Sequence, residues 1–243
     1  MTAPSKMLLA FETTRAIFEY CQSLFLTVPL KFISAKGDGH PVIILPGLGT
    51  ADGSTHFARN FLSGLGYNVH PWGLGRNLGP RRGLEKLTSD IEDRVRSISE
   101  AAGGAKVSVI GWSLGGIYAR ELAKSHPSLV RQVITLGTPF KVKKAATNAQ
   151  FLYELLSKDK SHLDPEFINQ IALKPPVPFT SIYSKSDGVV SWECSIEDED
   201  DFTENIQVPY ASHLGLGHNP ITMYLLANRL SQPENNWQRY SKS

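Results

Sequence analysis

Little is in excess in this chain, and its shortages exclude several kinds of protein. It has 2 cysteines in 243 residues, Cys21 and Cys194, too few and too far apart for a disulfide framework or a metal knuckle. Two free thiols fit a reducing compartment, so a cytoplasmic protein is expected. An excess of one charge is also lacking, since 25 Lys and Arg stand against 23 Asp and Glu. The basic residues are scattered, with "PRRG" (80–83) and "KVKK" (141–144) as the densest spots, so no nucleic-acid partner is expected. No repeat or low-complexity segment occurs. The stretch "GLGRNLG" (73–79) has the wrong spacing for a dinucleotide-binding G-x-G-x-x-G loop.

A long unbroken apolar run is missing as well. The nearest approach is the N-terminal "KMLLAFETTRAIFEYCQSLFLTVPL", where Glu12, Arg15 and Glu19 interrupt the apolar residues. Those charges argue against a signal peptide and against a membrane span. At about 100° per residue, Glu12, Arg15, Glu19, Gln22 and Ser23 gather on one side and leave a wide apolar face. The expectation is an amphipathic helix within residues 1–35, packed on the domain, with peripheral membrane contact as the alternative. Pro29 and "AKGDG" (35–39) would mark its end.

Beyond that segment the chain alternates. "PVIILPG", "YNVHPWG", "AKVSVIGW", "LVRQVITLGTP", "VPFTSIYSKSD" and "ENIQVPY" read as strands, several of them apolar at every position. Between them lie helical patterns. Leu84, Leu87, Ile91, Val95, Ile98 and Ala102 recur at helical spacing, "SLGGIYARELAKSHP" stops at Pro127, and "NPITMYLLANRL" starts with Asn219 as cap and Pro220 behind it. Strands apolar on both faces and separated by helices imply an α/β fold, a mostly parallel sheet of about six strands covered on both sides. One domain over 1–243 is expected. The stretch 141–178 is too long for a simple crossover and reads as a cap or lid insertion. It would hold two helical pieces, "AQFLYELLSK" and "DPEFINQIAL", and its Phe151, Leu152, Tyr153, Leu155 and Leu156 would suit an apolar acyl group.

The chemistry centres on "VIGWSLGGIYAR" (109–120). Gly111-Trp112-Ser113-Leu114-Gly115 is a G-x-S-x-G pattern that follows a strand and opens a helix. A serine on so sharp a turn holds a strained backbone, and side chains two positions away on either side would collide. The glycines thus make room for a nucleophile, while the helix aims its free N–H groups back at it. A serine hydroxyl needs a base to take its proton and an acid to orient that base. Asp187, after the strand "FTSIYS", is the candidate acid, with Glu193, Asp198, Asp200 and Asp201 as rivals. The loop "ASHLGLGHNP" offers His213 and His218, of which His213 lies nearer the strand. The oxyanion donors would be the backbone N–H groups of Leu114 and of Leu48, the latter in "LPGLGTADGST".

Four segments, "LPGLG", "GWSLGG", "SDGVV" and "SHLGL", together resemble the α/β-hydrolase superfamily of lipases and esterases, over almost the whole chain from Pro41 onward. "SHLGL" is similar to the histidine loop of small bacterial lipases, which favours His213, and the strand count resembles the reduced, all-parallel form of the fold. Where many lipases read His-Gly, the first loop here reads Pro-Gly, which keeps a backbone donor. The resemblance implies a serine carboxylic-ester hydrolase acting on a small or lipid-like ester, with no metal and no cofactor. An acyltransferase or thioesterase would use the same residues, and a hydrolase-fold binding protein would keep them without turnover.

Overall fold

The computed structural model describes residues 4–80, 83–141 and 165–241. Six strands, β1 (Pro41–Leu45), β2 (Asn68–Pro71), β3 (Val107–Trp112), β4 (Val130–Leu136), β5 (Phe179–Tyr183) and β6 (Thr203–Gln207), form one sheet. Its order is β2-β1-β3-β4-β5-β6 and every pairing is parallel. The helices are α1 (Lys6–Ala10), α2 (Glu12–Ile33), α3 (His56–Ser63), α4 (Leu84–Ala101), α5 (Leu114–Ser125), α6 (Pro165–Ala172) and α7 (Pro220–Leu230). All five residues of β1 and all six of β3 are buried, which is why these strands carry no polar alternation.

Alternate residues of β1 face opposite layers. Ile43 and Leu45 pack with Ile91, Val95 and Ile98 of α4 and with Ile117 and Leu122 of α5. Val42 and Ile44 pack with Phe61 and Leu62 of α3 and with Leu225 and Leu226 of α7. Asn219 caps α7 as expected, its side chain accepting the N–H groups of Ile221 and Thr222. After β1 the chain moves outward to β2, then returns past β1 to β3. The order therefore reverses between β1 and β3, the kind of position at which open α/β sheets bind ligands.

Several expectations need correction. Pro29 does not end the first helix but lies inside α2. Its ring stands on the exposed side, so the lost hydrogen bond frees a carbonyl that water can reach. In the acidic stretch 196–202 that supplied three of the rival acids, Glu197 is buried and paired with the buried Arg120 at 2.8 Å. The Arg120 guanidinium stacks over Phe140, 3.9 Å from the ring centroid, and donates to the Leu173 carbonyl at 2.9 Å. An arginine inside α5 needs a carboxylate partner, and the stretch supplies one. Within 141–178, α6 matches the second expected helical piece, whereas the first piece and Phe151 to Leu156 lie outside the described residues.

The largest correction concerns α2. It was expected to bury its apolar face, but the residues it buries are Glu12, Ala16, Glu19 and Ser23. Phe25, Phe32 and Ile33 are 85%, 81% and 69% exposed. Its charges are also too few to exclude a span, because Glu12–Ile33 is long and apolar enough to cross a membrane by length and composition, with mean hydropathy 1.2. Cys21 on this helix is exposed, Cys194 is buried, and the two are not joined.

Candidate active site

Ser113 is the entire turn between β3 and α5. Its backbone has φ +52° and ψ −121°, a conformation that residues with a side chain rarely adopt and that surrounding structure must enforce. The enforcement is visible. A methyl group on Gly111 would lie 2.3 Å from Cα of Gly116, and one on Gly115 would lie 2.4 Å from the carbonyl oxygen of Leu45. Ser113 N–H donates to the Leu136 carbonyl at 2.8 Å, and the Thr138 hydroxyl donates to the Ser113 carbonyl at 2.9 Å. The turn is thus clamped to β1 and β4 while the side chain projects from the end of the sheet.

His213 Nε2 lies 3.0 Å from Ser113 Oγ, and His213 Nδ1 lies 2.6 Å from Asp187 Oδ2. The other carboxylate oxygen of Asp187 accepts the N–H groups of Val189 and Val190 at 2.8 and 2.7 Å. Both oxygens are therefore held, and one of them aims at the imidazole. Gly137, at the end of β4, packs beneath the pair, where a methyl group would come within 3.1 Å of both Asp187 Oδ2 and His213 Nδ1. Ser113, Asp187 and His213 are all buried. Burial pulls the imidazole pKa down, but the Asp187 carboxylate, by charge and by hydrogen bond, with Glu12 behind it, more than offsets this and leaves it raised above the ordinary value of 6.5.

The first loop runs against the serine, with a methyl group on Gly47 only 3.4 Å from Ser113 Cβ. Leu48 follows in that loop, 38% exposed, and Leu114 is fully buried in the first turn of α5, where backbone N–H groups have no intrahelical partner. Asn77 holds the loop in place. Its side-chain amide donates to the Pro46 carbonyl at 2.8 Å, its carbonyl accepts Gly49 N–H at 2.7 Å, and its own N–H donates to Thr50 at 2.8 Å. Tyr118 donates its hydroxyl hydrogen to Asn77 Oδ1 at 3.3 Å, joining the loop to α5.

The rival residues lie elsewhere. Asp198 pairs with Lys141 and Asp200 with Lys174, both at 2.9 Å on the surface, and Asp201 is exposed. His218 turns away, its Nε2 donating to the Ala16 carbonyl at 2.9 Å.

Sequence reasoning passed over several residues that shape this site. Trp112, the variable residue before the serine, donates its indole N–H to the His213 carbonyl at 3.1 Å. Glu12 accepts Gly188 N–H at 2.7 Å and His213 N–H at 3.2 Å through one oxygen, and Leu214 N–H at 3.2 Å through the other. Glu19 accepts Ser212 N–H at 2.8 Å and the Asn219 side-chain amide at 2.7 Å. Three consecutive N–H groups of the histidine loop therefore end on carboxylates of α2. Two glutamates seven residues apart on one face of an apolar helix were the available signal, but it was read as a solvent face.

The all-parallel sheet and the clamped serine turn define an α/β-hydrolase fold. The family model described as serine aminopeptidase, S33 (Hydrolase_4), matches residues 40–188, and the chain belongs to that family. A triacylglycerol lipase of Pseudarthrobacter phenanthrenivorans is 30% identical over 118 residues, covering 49% of this chain and 33% of that protein. The chain thus spans about a third of that relative's length. Lipase B of Aspergillus fumigatus superimposes with a TM-score of 0.62 at 20% identity, covering 82% of this chain and 53% of its own. The mature lipase BlEst2 of Bacillus licheniformis does so with 0.60 at 17% identity, covering 81% and 92%.

Proposed function

We propose that this protein is a serine hydrolase of carboxylic esters, of the lipase and esterase kind, working through an acyl-enzyme. The observation that carries the reading is the hydrogen-bonded line from Asp187 Oδ2 through the His213 imidazole to Ser113 Oγ, at 2.6 and 3.0 Å, ending on a strained serine turn. The lipase names among its relatives support the ester class. Ser113 Oγ attacks the ester carbonyl as its proton passes to His213 Nε2. Asp187 keeps Nδ1–H directed away from the serine and stabilises the imidazolium. The N–H groups of Leu48 and Leu114 receive the oxyanion. His213 then protonates the departing alcohol. Water, deprotonated by the same nitrogen, cleaves the acyl-serine and restores Ser113.

The test is hydrolysis of p-nitrophenyl esters from short to long acyl chain by the native protein and by Ser113→Ala. Turnover is expected to fall roughly 10⁴-fold or more in the variant. The chain-length optimum would size the acyl site. Turnover that survives the substitution would overturn the serine mechanism. Hydrolysis of aminoacyl anilides in preference to esters would favour the peptidase chemistry of the family's description. Product formed only with an added alcohol acceptor would favour a transferase. A fluorophosphonate that fails to label Ser113 would leave a binding protein.

A further inference from the structure

We propose that α1 and α2 dock the protein on a lipid surface, lying along the boundary with their apolar face among the acyl chains and their polar face holding the active site. Twelve of the twenty large apolar side chains exposed among the described residues fall between Met7 and Ile33. Both acidic residues of these helices, Glu12 and Glu19, are turned inward and saturated with hydrogen bonds. No carboxylate remains on the outer face. Lys6 is exposed near its start and Lys36 just past its end, where the exposed Asp38 is paired with Arg131 at 3.0 Å. An apolar face of this length, without outward acid and with cations at its ends, suits an anionic lipid surface.

Continuity with the site favours lipid over a second copy of the chain. The segment begins against the catalytic loops, because a methyl group on Gly188, beside Asp187, would lie 2.5 Å from the backbone of Leu8. Along the same seam an open groove of about 660 Å³, lined by Phe18, Leu26, Pro209, Tyr210 and Ile221, runs between α2 and the start of α7. Its apolar walls and volume fit an acyl chain reaching up from a bilayer. Tyr210, 86% exposed, extends the apolar surface past the helix. A span across the bilayer is disfavoured by the same geometry, since crossing would tear Glu12 and Glu19 from five hydrogen bonds and put both in hydrocarbon.

Docking is tested apart from turnover by using the full chain carrying Ser113→Ala. It is mixed with vesicles of about one-quarter phosphatidylglycerol in phosphatidylcholine and sedimented. Co-sedimentation is expected, weakened about tenfold or more by Phe25→Ser with Phe32→Ser, while thermal unfolding stays unchanged. No co-sedimentation, or binding untouched by the pair of substitutions, would overturn the proposal. So would a dimer in light scattering that the same pair dissolves, which would assign the face to a second copy. Retention in membranes after alkaline carbonate extraction would mean a span, and a mature chain beginning beyond Ile33 would mean a leader; either result ends the proposal.

The inward face carries a second inference. We infer that Glu12 is a positioning residue that sets the catalytic histidine against its acid. One carboxylate grips the N–H groups of His213, Leu214 and Gly188, and so ties the base to the loop of Asp187. The charged groups facing His213 are Asp187 from the β5 loop and Glu12 from α2. Arg15 lies 3.6 Å from Glu12, and Glu19 holds the preceding N–H. This inference rests on the ester-hydrolase reading, and fluorophosphonate labelling of the native protein checks that reading separately. Glu12→Gln is expected to lower kcat about tenfold with KM little changed, and to move the acid limb of kcat/KM to lower pH, because a negative charge near the imidazole is gone. Glu12→Asp should restore the limb in part. A variant that loses thermal stability but keeps kcat and the limb would overturn the role.

Discussion

α5 and α2 serve the same site from opposite sides, and they bury opposite kinds of face. α5 follows the Ser113 turn and buries ten of its twelve residues, from Leu114 to Ala123. α2 has the more apolar surface and buries four of twenty-two, two of them glutamates. The difference lies in what each helix meets. α5 rests on the sheet, whose backbone groups are already paired, so its gain there is mainly apolar contact, with Arg120 matched to the buried Glu197. α2 rests on the histidine loop, whose N–H groups at 212–214 have no ladder partner and must find acceptors. A helix turns inward whatever the body beneath it lacks.

The comparison can be broken first at the serine turn. Gly115→Ala drives a methyl group into the Leu45 carbonyl at 2.4 Å and should cost about 3 kcal/mol or more in urea unfolding, with activity lost. A stable, active Gly115→Ala would mean that α5 is not held as tightly as described. At α2 the order of effects should invert. Glu12→Ala strands three backbone N–H groups and should cost roughly 2–3 kcal/mol by the same measurement.

Asn77→Ala frees the first loop and takes the acceptor from the Tyr118 hydroxyl of α5, while leaving α2 untouched. A loss of about 1–2 kcal/mol is expected, with kcat reduced more than KM if the loop supplies an oxyanion donor. Equal effects on a neutral substrate's binding and turnover would assign Asn77 to folding alone.

The histidine gives a smaller effect that pH reads directly. In the proposed reaction His213 must be neutral to accept a proton, and since its pKa is raised, kcat/KM should fall as pH drops through a value above 6.5. Stability runs the other way. The protonated imidazole is favoured in the fold, so its contribution is complete below the unfolded value of about 6.5 and fades as pH rises through the folded value. Unfolding followed from pH 6 to 9 would show the slope. The smallest effect belongs to Phe25→Ser, within about 0.5 kcal/mol in solution, because the side chain leaves one aqueous face for another.

Local patterns made most of the fold legible. Fully apolar strands such as "VIIL" can only be covered on both faces, and the helical repeat from Leu84 to Ile98 has one buried stripe, so sheet and layers follow from short windows. That Ser113, Asp187 and His213 come together was readable for a related reason, since each lies in the connection that follows a strand, beside glycines with a steric purpose. Other features depended on neighbours distant in the chain. Glu197 reads as one acid among several until Arg120 is found beneath it. Asn77 reads as a residue in a glycine-rich loop until its partners Pro46, Gly49 and Tyr118 are seen around it.

From the amino-acid order alone come the alternating elements, the serine turn and the chain order of the three side chains, because these rest on backbone sterics and periodicity over a few residues. Tertiary contact settled which face of α2 turns inward. Glu12 meets His213 and Gly188 across some two hundred and one hundred and seventy-six positions of chain, respectively, and such hydrogen bonds are chosen by the folded surface rather than by the helix itself. Periodicity can show that a helix has two faces. The unpaired groups it lands on decide which of them the solvent sees.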